Sequence, residues 1–519
     1  MLRKIRITLA SVCFVGITLL FLDFTGALHT WLGWMAKIQF LPALLALNAL
    51  VIAALVVLTL VFGRIYCSVI CPLGVFQDIA AWFGKRGKKL PYTYSKAVSW
   101  LRYLMLAVMV VAFVLGVGSV VALLAPYSAY GRMAGNLFQP LYLWGNNVLA
   151  AIAASVDSYA FYSADVWIRS LPTFIIAAVT FVVLVVLAWR NGRTYCNTIC
   201  PVGTVLGFLA RFSWFKIYFD GNKCRSCSLC SRNCKASCID FKNLSVDYSR
   251  CVTCGDCLQH CEYGALHYGH PSADIRQTNK QKMAEKAEKA RQREEQKQQP
   301  AQQETTTENS VDTSRRSFLM AAALATTATA MAQKDKKVDG GLAEIVNKVA
   351  PKRTTHITPP GSYSLANMAK HCTGCQLCVS ECPNGVLRPS TELTRLMQPE
   401  SSYERGFCRP ECTRCSEVCP TGAIRLIDKA QKSSIQIGHA VWIKKNCVPI
   451  TDGVECGNCA RHCPTGAISM IPYQTKDGEV QIPSVDEARC IGCGACEHLC
   501  PASPFSAIYV EGHEVHKTI

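Results

Sequence analysis

Four long apolar runs dominate the first half of the chain: Ile7–Leu22, Ile38–Phe62, Tyr103–Ala125 and Leu171–Trp189. Each is near the roughly 20 residues that cross a bilayer core, which predicts four transmembrane helices. The first is the shortest, but no small-residue cleavage site follows it and Asp23 ends it, so it reads as a retained anchor. A weaker run, Leu137–Val156, contains Pro140, Gly145, Asn146 and Asn147 and suits a periplasmic or half-inserted helix. Polar side chains take over at Pro271–Thr313, where almost no large apolar residue is available to form a core. That stretch is expected to be a solvated linker, partly helical around Met283–Gln298.

Charge orients the apolar half. Arg3, Lys4 and Arg6 precede the first run, and Arg64, Lys85, Arg86, Lys88, Lys89, Lys96 and Arg102 lie between the second and third. Only Arg132 and Arg169 lie between the third and fourth. Positive loops stay in the cytoplasm, so both ends of this domain are expected there. The formal net charge of +18 is therefore read as membrane flanks and not as a nucleic-acid surface. No P-loop, dinucleotide-binding glycine fingerprint or nucleophile elbow is found, which argues against nucleotide chemistry.

Thirty cysteines in 519 residues change the picture most. Cys372, Cys375, Cys378 and Cys382 form a CxxCxxCxxxCP run, and Cys490, Cys493, Cys496 and Cys500 form another. Between them, Cys408, Cys412, Cys415, Cys419 and Cys447, Cys456, Cys459, Cys463 are stretched at the first spacing but still close on CxxxCP. Earlier, Cys224, Cys227, Cys230, Cys234 and Cys251, Cys254, Cys257, Cys261 repeat the pattern, with Lys235 and Glu262 in place of the proline. Three closely spaced thiolates with a fourth that crosses to a neighbouring cluster are the ligand pattern of bacterial [4Fe–4S] ferredoxins. Structural zinc usually pairs two CxxC knuckles over a longer loop, so zinc is the weaker reading. Six [4Fe–4S] clusters are expected, with Cys234 and Cys261 crossing between the first two. Cys238 is read as a spare buried thiol and Cys13 as an apolar filler.

A second cysteine pattern is internal to the apolar half. Gly63–Gly74 and Gly192–Gly203 both read GRxYCxxICPxG, each after an apolar run, so this domain is expected to be a duplicated two-helix unit. Cys67, Cys71, Cys196 and Cys200 are thus candidates for a cofactor or thiol-exchange site; the alternative is a Pro/Gly turn in which the thiols merely pack.

Ser314–Met320 begins with Ser-Arg-Arg and is followed by a mildly apolar run ending in Ala330-Met331-Ala332, which resembles a twin-arginine export signal. Clusters are assembled in the cytoplasm, so a domain that carries them needs an exporter of folded proteins. The expected layout is a transmembrane domain (1–215), a two-cluster domain (216–270), a linker (271–313), a signal segment (314–332) and a four-cluster domain (333–519). The fold class is multi-domain: a four-helix transmembrane domain with internal duplication plus α+β ferredoxin-like domains. The chain would sit in the inner membrane, with 216–313 cytoplasmic and 333–519 periplasmic.

Taken in order, these motifs resemble a NapH-type membrane ferredoxin fused to a NapG/MauM-type exported four-cluster ferredoxin. The resemblance implies a quinol dehydrogenase that draws on the quinone pool and hands electrons to a periplasmic acceptor such as nitrate reductase. It also implies that the first and fourth cluster groups of the exported part pair, as do the second and third. Coupling across the hydrocarbon core falls to a quinone or to a cofactor on the four CxxxCP thiols. His29, Trp31, Trp34 and Arg132 are candidates for the quinone site, with interfacial anchoring the other reading of the tryptophans. A membrane redox sensor or maturation factor acting through the CxxxCP thiols is the competing function.

Overall fold

In the computed structural model the chain is described over residues 2–86, 91–158, 160–297, 348–475 and 478–519. The twin-arginine segment at 314–332 lies outside the described residues. Among those described, two helices are long and apolar enough to cross a bilayer, Leu2–Leu22 and Leu171–Asn191. The other two apolar runs are broken. Ile38–Phe62 is split into Phe40–Leu45 and Ala49–Phe62 by a turn with Leu47 at φ 53°, after which the Asn48 side chain accepts from the Val51 amide and starts the second helix. Tyr103–Ala125 is split into Ser99–Val114 and Gly118–Leu124, with Gly116 at φ 73°. Leu137–Val156 begins in a π-turn, Ala134–Phe138, and continues as helix Gln139–Ala154.

The sequence repeat is also a structural one. Helix Ala49–Phe62 leads into the short helix Ile65–Val69 and then Pro72–Arg86; Leu171–Asn191 leads into Thr194–Thr198 and then Pro201–Leu209. Gly63 and Gly192 end the leading helices at φ 78° and 71°, where a side chain is strained. The two units exchange partners: Pro72–Arg86 packs on Leu171–Asn191, and Pro201–Leu209 packs on Ala49–Phe62.

Residues 216–269 form a small α+β unit in which Lys216–Phe219 pairs antiparallel with Leu266–Gly269, and Ile239–Asp240 with Ser245–Val246. The linker begins as helix Ala273–Lys297, whose Asn279 and Lys282 bond the backbone at Phe219 and Gly221. The C-terminal unit is built on three antiparallel pairs: Leu387–Pro389 with Pro399–Ser401, Ile435–Trp442 with Ile508–Thr518, and Ile468–Thr475 with Gly478–Val485.

The two ferredoxin-like units sit at opposite ends of the first helix. At its start, Arg3 pairs with Asp256 at 2.9 Å and Arg6 with Asp78 at 2.9 Å. At its end, Arg414 donates to the Thr25 carbonyl, and Phe21 lies with Cys375 against Gly131. Twenty-one helical residues at 1.5 Å each hold the two ends about 30 Å apart, the thickness of a hydrocarbon core. The break at Gly116 serves this arrangement, because the short helix Gly118–Leu124 packs on the C-terminal unit: Gly374 stands over Ala122, and Gln398 over Gly118.

Candidate electron-transfer centres

The backbone around each regular cysteine run is shaped to wrap a compact anion. In all four CxxCxxC loops the residues either side of the second cysteine are left-handed: Ser226 and Ser228, Thr253 and Gly255, Gly374 and Gln376, Gly492 and Gly494. Four of these are not glycine, and each left-handed non-glycine residue costs about 1–2 kcal/mol. The distortion turns successive amides inward. A second turn follows the last cysteine, with Gly264, Gly422 and Gly466 at positive φ. It aims backbone amides at sulfur: Ala265 to Cys261 at 3.2 Å, Ile424 to Cys419 at 3.4 Å and Ala467 to Cys463 at 3.2 Å; Ala507 reaches Cys500 at 3.3 Å. Amide-to-sulfur bonds of this kind tune cluster potentials.

The thiols fall into six sets of four. Cys261 lies beside Cys224, Cys227 and Cys230, while Cys234 joins Cys251, Cys254 and Cys257. In the C-terminal unit Cys419 joins Cys372, Cys375 and Cys378, and Cys382 joins Cys408, Cys412 and Cys415. Cys500 joins Cys447, Cys456 and Cys459, and Cys463 joins Cys490, Cys493 and Cys496. The first and second groups therefore pair, as do the third and fourth, which corrects the first-with-fourth arrangement implied by the resemblance. Groups adjacent in sequence exchange their last cysteines over short connections, and ligand spacing alone cannot reveal which loops do so. A backbone bond from the Cys408 amide to the Cys493 carbonyl, 2.9 Å, joins the two pairs.

Among the described residues no three Cys, His, Asp or Glu side chains converge closely enough to ligate one metal ion. The thiol sets, each drawing its fourth member from the neighbouring run, fit the crossed ligand pattern of iron–sulfur cores. Cys238 is buried with its sulfur 3.5 Å from that of Cys234, in the turn where Ala467 stands in the later group.

Between the two ferredoxin-like units lie the four CxxxCP thiols, all buried. Cys67 and Cys196 are in the short repeat helices, and Cys71 and Cys200 are just beyond them, where the Cys200 sulfur caps the next helix by accepting from the Gly203 amide at 3.3 Å. Each of Cys71 and Cys200 is within electrostatic reach of Cys67 and Cys196, and Cys200 also of Cys71. Two arginines cross between the repeats. Arg64 donates to the Cys196 carbonyl at 3.3 Å and lies 3.8 Å from the Cys67 sulfur; Arg193 donates to the Cys67 carbonyl at 2.5 Å. Gln77 adds a donor 3.2 Å from the Cys196 sulfur. Gly74 and Gly203 make the crossing possible, since a Cβ there would fall 2.2 Å and 2.4 Å from the Cys67 and Cys196 carbonyl oxygens. Sequence reading singled out the cysteines and missed the arginines, although Arg64 and Arg193 stand in the repeated motif itself.

This centre touches both neighbours. On one side Arg64 and Arg102 both bond the Ser249 carbonyl, just before Cys251, and a Cβ on Gly192 would stand 2.3 Å from the Lys235 carbonyl, beside Cys234. On the other side the fully buried Arg132 lies within electrostatic reach of Tyr195 and Cys375, bonds the Ala122 carbonyl at 2.7 Å, and leaves Nε and Nη2 without partners. A buried cation with free donors facing a cysteine loop suits an anionic cluster there. This burial also removes Arg132 from any lipid-facing quinone site, whereas Trp31 and Trp34 are exposed and His29 half-buried. Asn136 meets Gln376 at 2.9 Å, so the cluster loop is seated on this face. Glu381, next to Cys382, has no hydrogen bond to either carboxylate oxygen and only a long ion pair to Arg414 at 3.8 Å; burial pushes its carboxyl up to about 8, with nearby Asp23 adding to the rise.

Left-handed thiol loops, crossed fourth ligands and buried cations facing them define a multi-domain, ferredoxin-type [4Fe–4S] electron-transfer protein. Comparison with known proteins agrees. Residues 44–91 and 172–219 each match a 4Fe-4S binding domain family, and residues 454–503 match a 4Fe-4S dicluster domain. The first two stretches carry the CxxxCP thiols and stop before Cys224, and the third covers Cys456–Cys463 and the last cluster group but begins after Cys447. The methylamine utilization ferredoxin-type protein MauM of Methylobacillus flagellatus is 32% identical over 169 residues, 31% of this chain and 71% of that protein. The ferredoxin-type protein NapF of Escherichia coli K12 is 29% identical over 180 residues, 34% of this chain and 99% of NapF. The putative electron transport protein YccM of the same organism is 24% identical over 198 residues, 37% of this chain and 47% of YccM. No solved structure matches. Over about a third of its length the chain belongs to the family of ferredoxin-type iron–sulfur proteins that includes MauM.

Proposed function

We propose that this chain is a membrane quinol dehydrogenase whose thiol-bound clusters form one path from the quinone pool to a periplasmic acceptor. A hydroquinone would give up two electrons and two protons beside the 216–269 unit on the cytoplasmic side, with the protons leaving to water. The electrons would move singly, since each cube takes one. The observation that carries this reading is a single continuous buried core running from Val252 and Cys254, through Cys67, Cys71 and Cys200, to Cys375 and Cys378. Tunnelling falls steeply with distance, so two cluster units about 30 Å apart need an intermediate centre. The CxxxCP thiols stand where one is required.

When bound, a [4Fe–4S] core supplies one-electron redox chemistry; the residues of the chain place and tune it. Cys67, Cys71, Cys196 and Cys200 would hold a seventh such centre, beyond the six of the ferredoxin-like units. Arg64, Arg193 and Gln77 would offset its negative charge in the low-dielectric interior. Beyond Cys375 the order would be the Cys372 set, the Cys408 set, then across the Cys408–Cys493 contact to the Cys490 and Cys447 sets. The twin-arginine export route and a reductase such as nitrate reductase as terminal partner belong to this proposal. Iron and acid-labile sulfide analysis of the anaerobically purified full chain is the test. The expected result is about four irons and four sulfides per cluster for at least six clusters, with a brown chromophore. Zinc at about one ion per four thiols, without sulfide, would remove the relay.

A further inference from the structure

We propose that a cavity between the start of the first helix and helix Pro72–Arg86 binds the head group of a lipid-soluble quinone. This assigns a place to the substrate of the proposed function and rests on that reading. The cavity has a volume of about 550 Å³, within the roughly 300–1,000 Å³ usual for small-molecule sites. Its walls and floor differ in a way that matches an amphipathic ring on an apolar tail.

The walls are side chains of two helices that are apolar on this face. Ile7, Ile79 and Phe83 line the cavity and are also exposed on the outer surface, at 41%, 37% and 52%. Leu2–Leu22 is one of the two helices long enough to cross a bilayer, so an opening between these side chains leads to hydrocarbon. An isoprenoid tail requires such an exit, and a water-soluble substrate does not.

The floor is polar and belongs to the cluster unit. Lys235 directly follows ligand Cys234, and Asp256 directly precedes ligand Cys257, so a ring on this floor lies beside the Cys251 set. Lys235 offers ammonium donors to a quinone carbonyl and Asp256 an acceptor for a hydroquinone hydroxyl. His260 completes the floor with its Nδ1 2.7 Å from the Asp256 carbonyl, which fixes the ring's orientation in the cavity.

Each charge on the floor already has a partner of opposite sign. Lys235 lies 2.8 Å from Asp78 and 3.2 Å from Asp256, Arg6 bonds Asp78, and Arg3 bonds Asp256. A neutral ring needs no further charge partner on this floor, whereas a lipid phosphate would have to compete with Asp78 and Asp256 for cations they already hold. A larger cavity of about 1160 Å³ also borders Lys235, but Lys96, Arg190 and Arg250 line it with no carboxylate among the lining residues, which suits an anion better than a neutral ring.

The test uses the full chain in lipid nanodiscs with two probes. A photoreactive azidoquinone is expected to label peptides 7–15 and 75–83, with the label displaced by excess decylquinone. In Ile79→Trp, which fills the cavity, decylquinol is expected to reduce the clusters at least tenfold more slowly, while dithionite reduces them as in the parent. Label confined to other segments, such as those holding Trp31 and Trp34, with Ile79→Trp unaffected, would overturn this site and leave the quinol reading intact. Displacement of the label by anionic phospholipid but not by decylquinone would assign the cavity to lipid and likewise overturn it. Clusters reduced by dithionite but never by decylquinol in the parent chain would defeat the quinol reading itself, and the site with it.

Discussion

Asp78→Ala is expected to destabilise the chain by roughly 3–5 kcal/mol, the usual loss when one partner of a buried ion network is removed. Asp78 is 2.6 Å from Arg193, 2.8 Å from Lys235 and 2.9 Å from Arg6. The Arg193 side chain is fully buried, and those of Arg6 and Lys235 are nearly so, at 8% and 10% exposed. These cations come from the second repeat, the ferredoxin-like unit and the first helix, so a single carboxylate joins three parts of the molecule. Without it, three largely buried positive groups face one another with only Asp256 nearby. Thermal unfolding of the detergent-solubilised holoprotein should show the loss. Asp78→Asn keeps the shape and removes the charge, and should lose nearly as much. A melting temperature within a degree or two of the parent in both variants would show that solvent, and not Asp78, compensates these cations.

The second large effect is expected on electron transfer. In Cys71→Ser/Cys200→Ser, electrons given to the 224–261 cluster unit should reach the C-terminal clusters at least about 100-fold more slowly, an added barrier of about 2.7 kcal/mol. Dithionite should still reduce the six ferredoxin-like clusters, because none of their ligands is touched. Rapid freeze-quench electron paramagnetic resonance separates the two units in time. The substitution is nearly isosteric, so a pure packing role for these thiols predicts an unchanged transfer rate. That result would return the CxxxCP motif to being a Pro/Gly turn.

Much of this arrangement was legible in the sequence, and the reasons for the rest are physical. Cluster runs are read easily because their ligands are local: three thiolates in seven residues need only left-handed turns either side of the second cysteine, at Ser226 and Ser228 as at Gly492 and Gly494. The duplicated GRxYCxxICPxG motif was equally plain. Its consequence was not, because Arg64 reaches Cys196 and Arg193 reaches Cys67 across some 130 positions of chain. No local pattern encodes an exchange of that length. Hydropathy did not show the breaks within two of the four runs, for a related reason. A window average passes over Leu47, Asn48 and Gly116, yet a left-handed residue followed by a capping side chain, or a left-handed glycine, is enough to break a helix within an apolar run. The broken helix at Gly118–Leu124 then becomes a seat for the Cys372 loop. Cluster pairing was not legible because all four C-terminal groups close on the same CxxxCP; only the folded chain shows Cys419 beside Cys372 and Cys500 beside Cys447.

The proposed passage of electrons across the lipid barrier takes place inside this one chain. It is tested most directly in sealed vesicles that hold the full chain in one orientation, with decylquinol in the membrane and an impermeant one-electron acceptor only on the side of the C-terminal unit. The expected result is steady, quinol-dependent reduction of that acceptor, abolished by Cys71→Ser/Cys200→Ser. Reduction only when the acceptor is placed on the side of the 216–269 unit would contradict it.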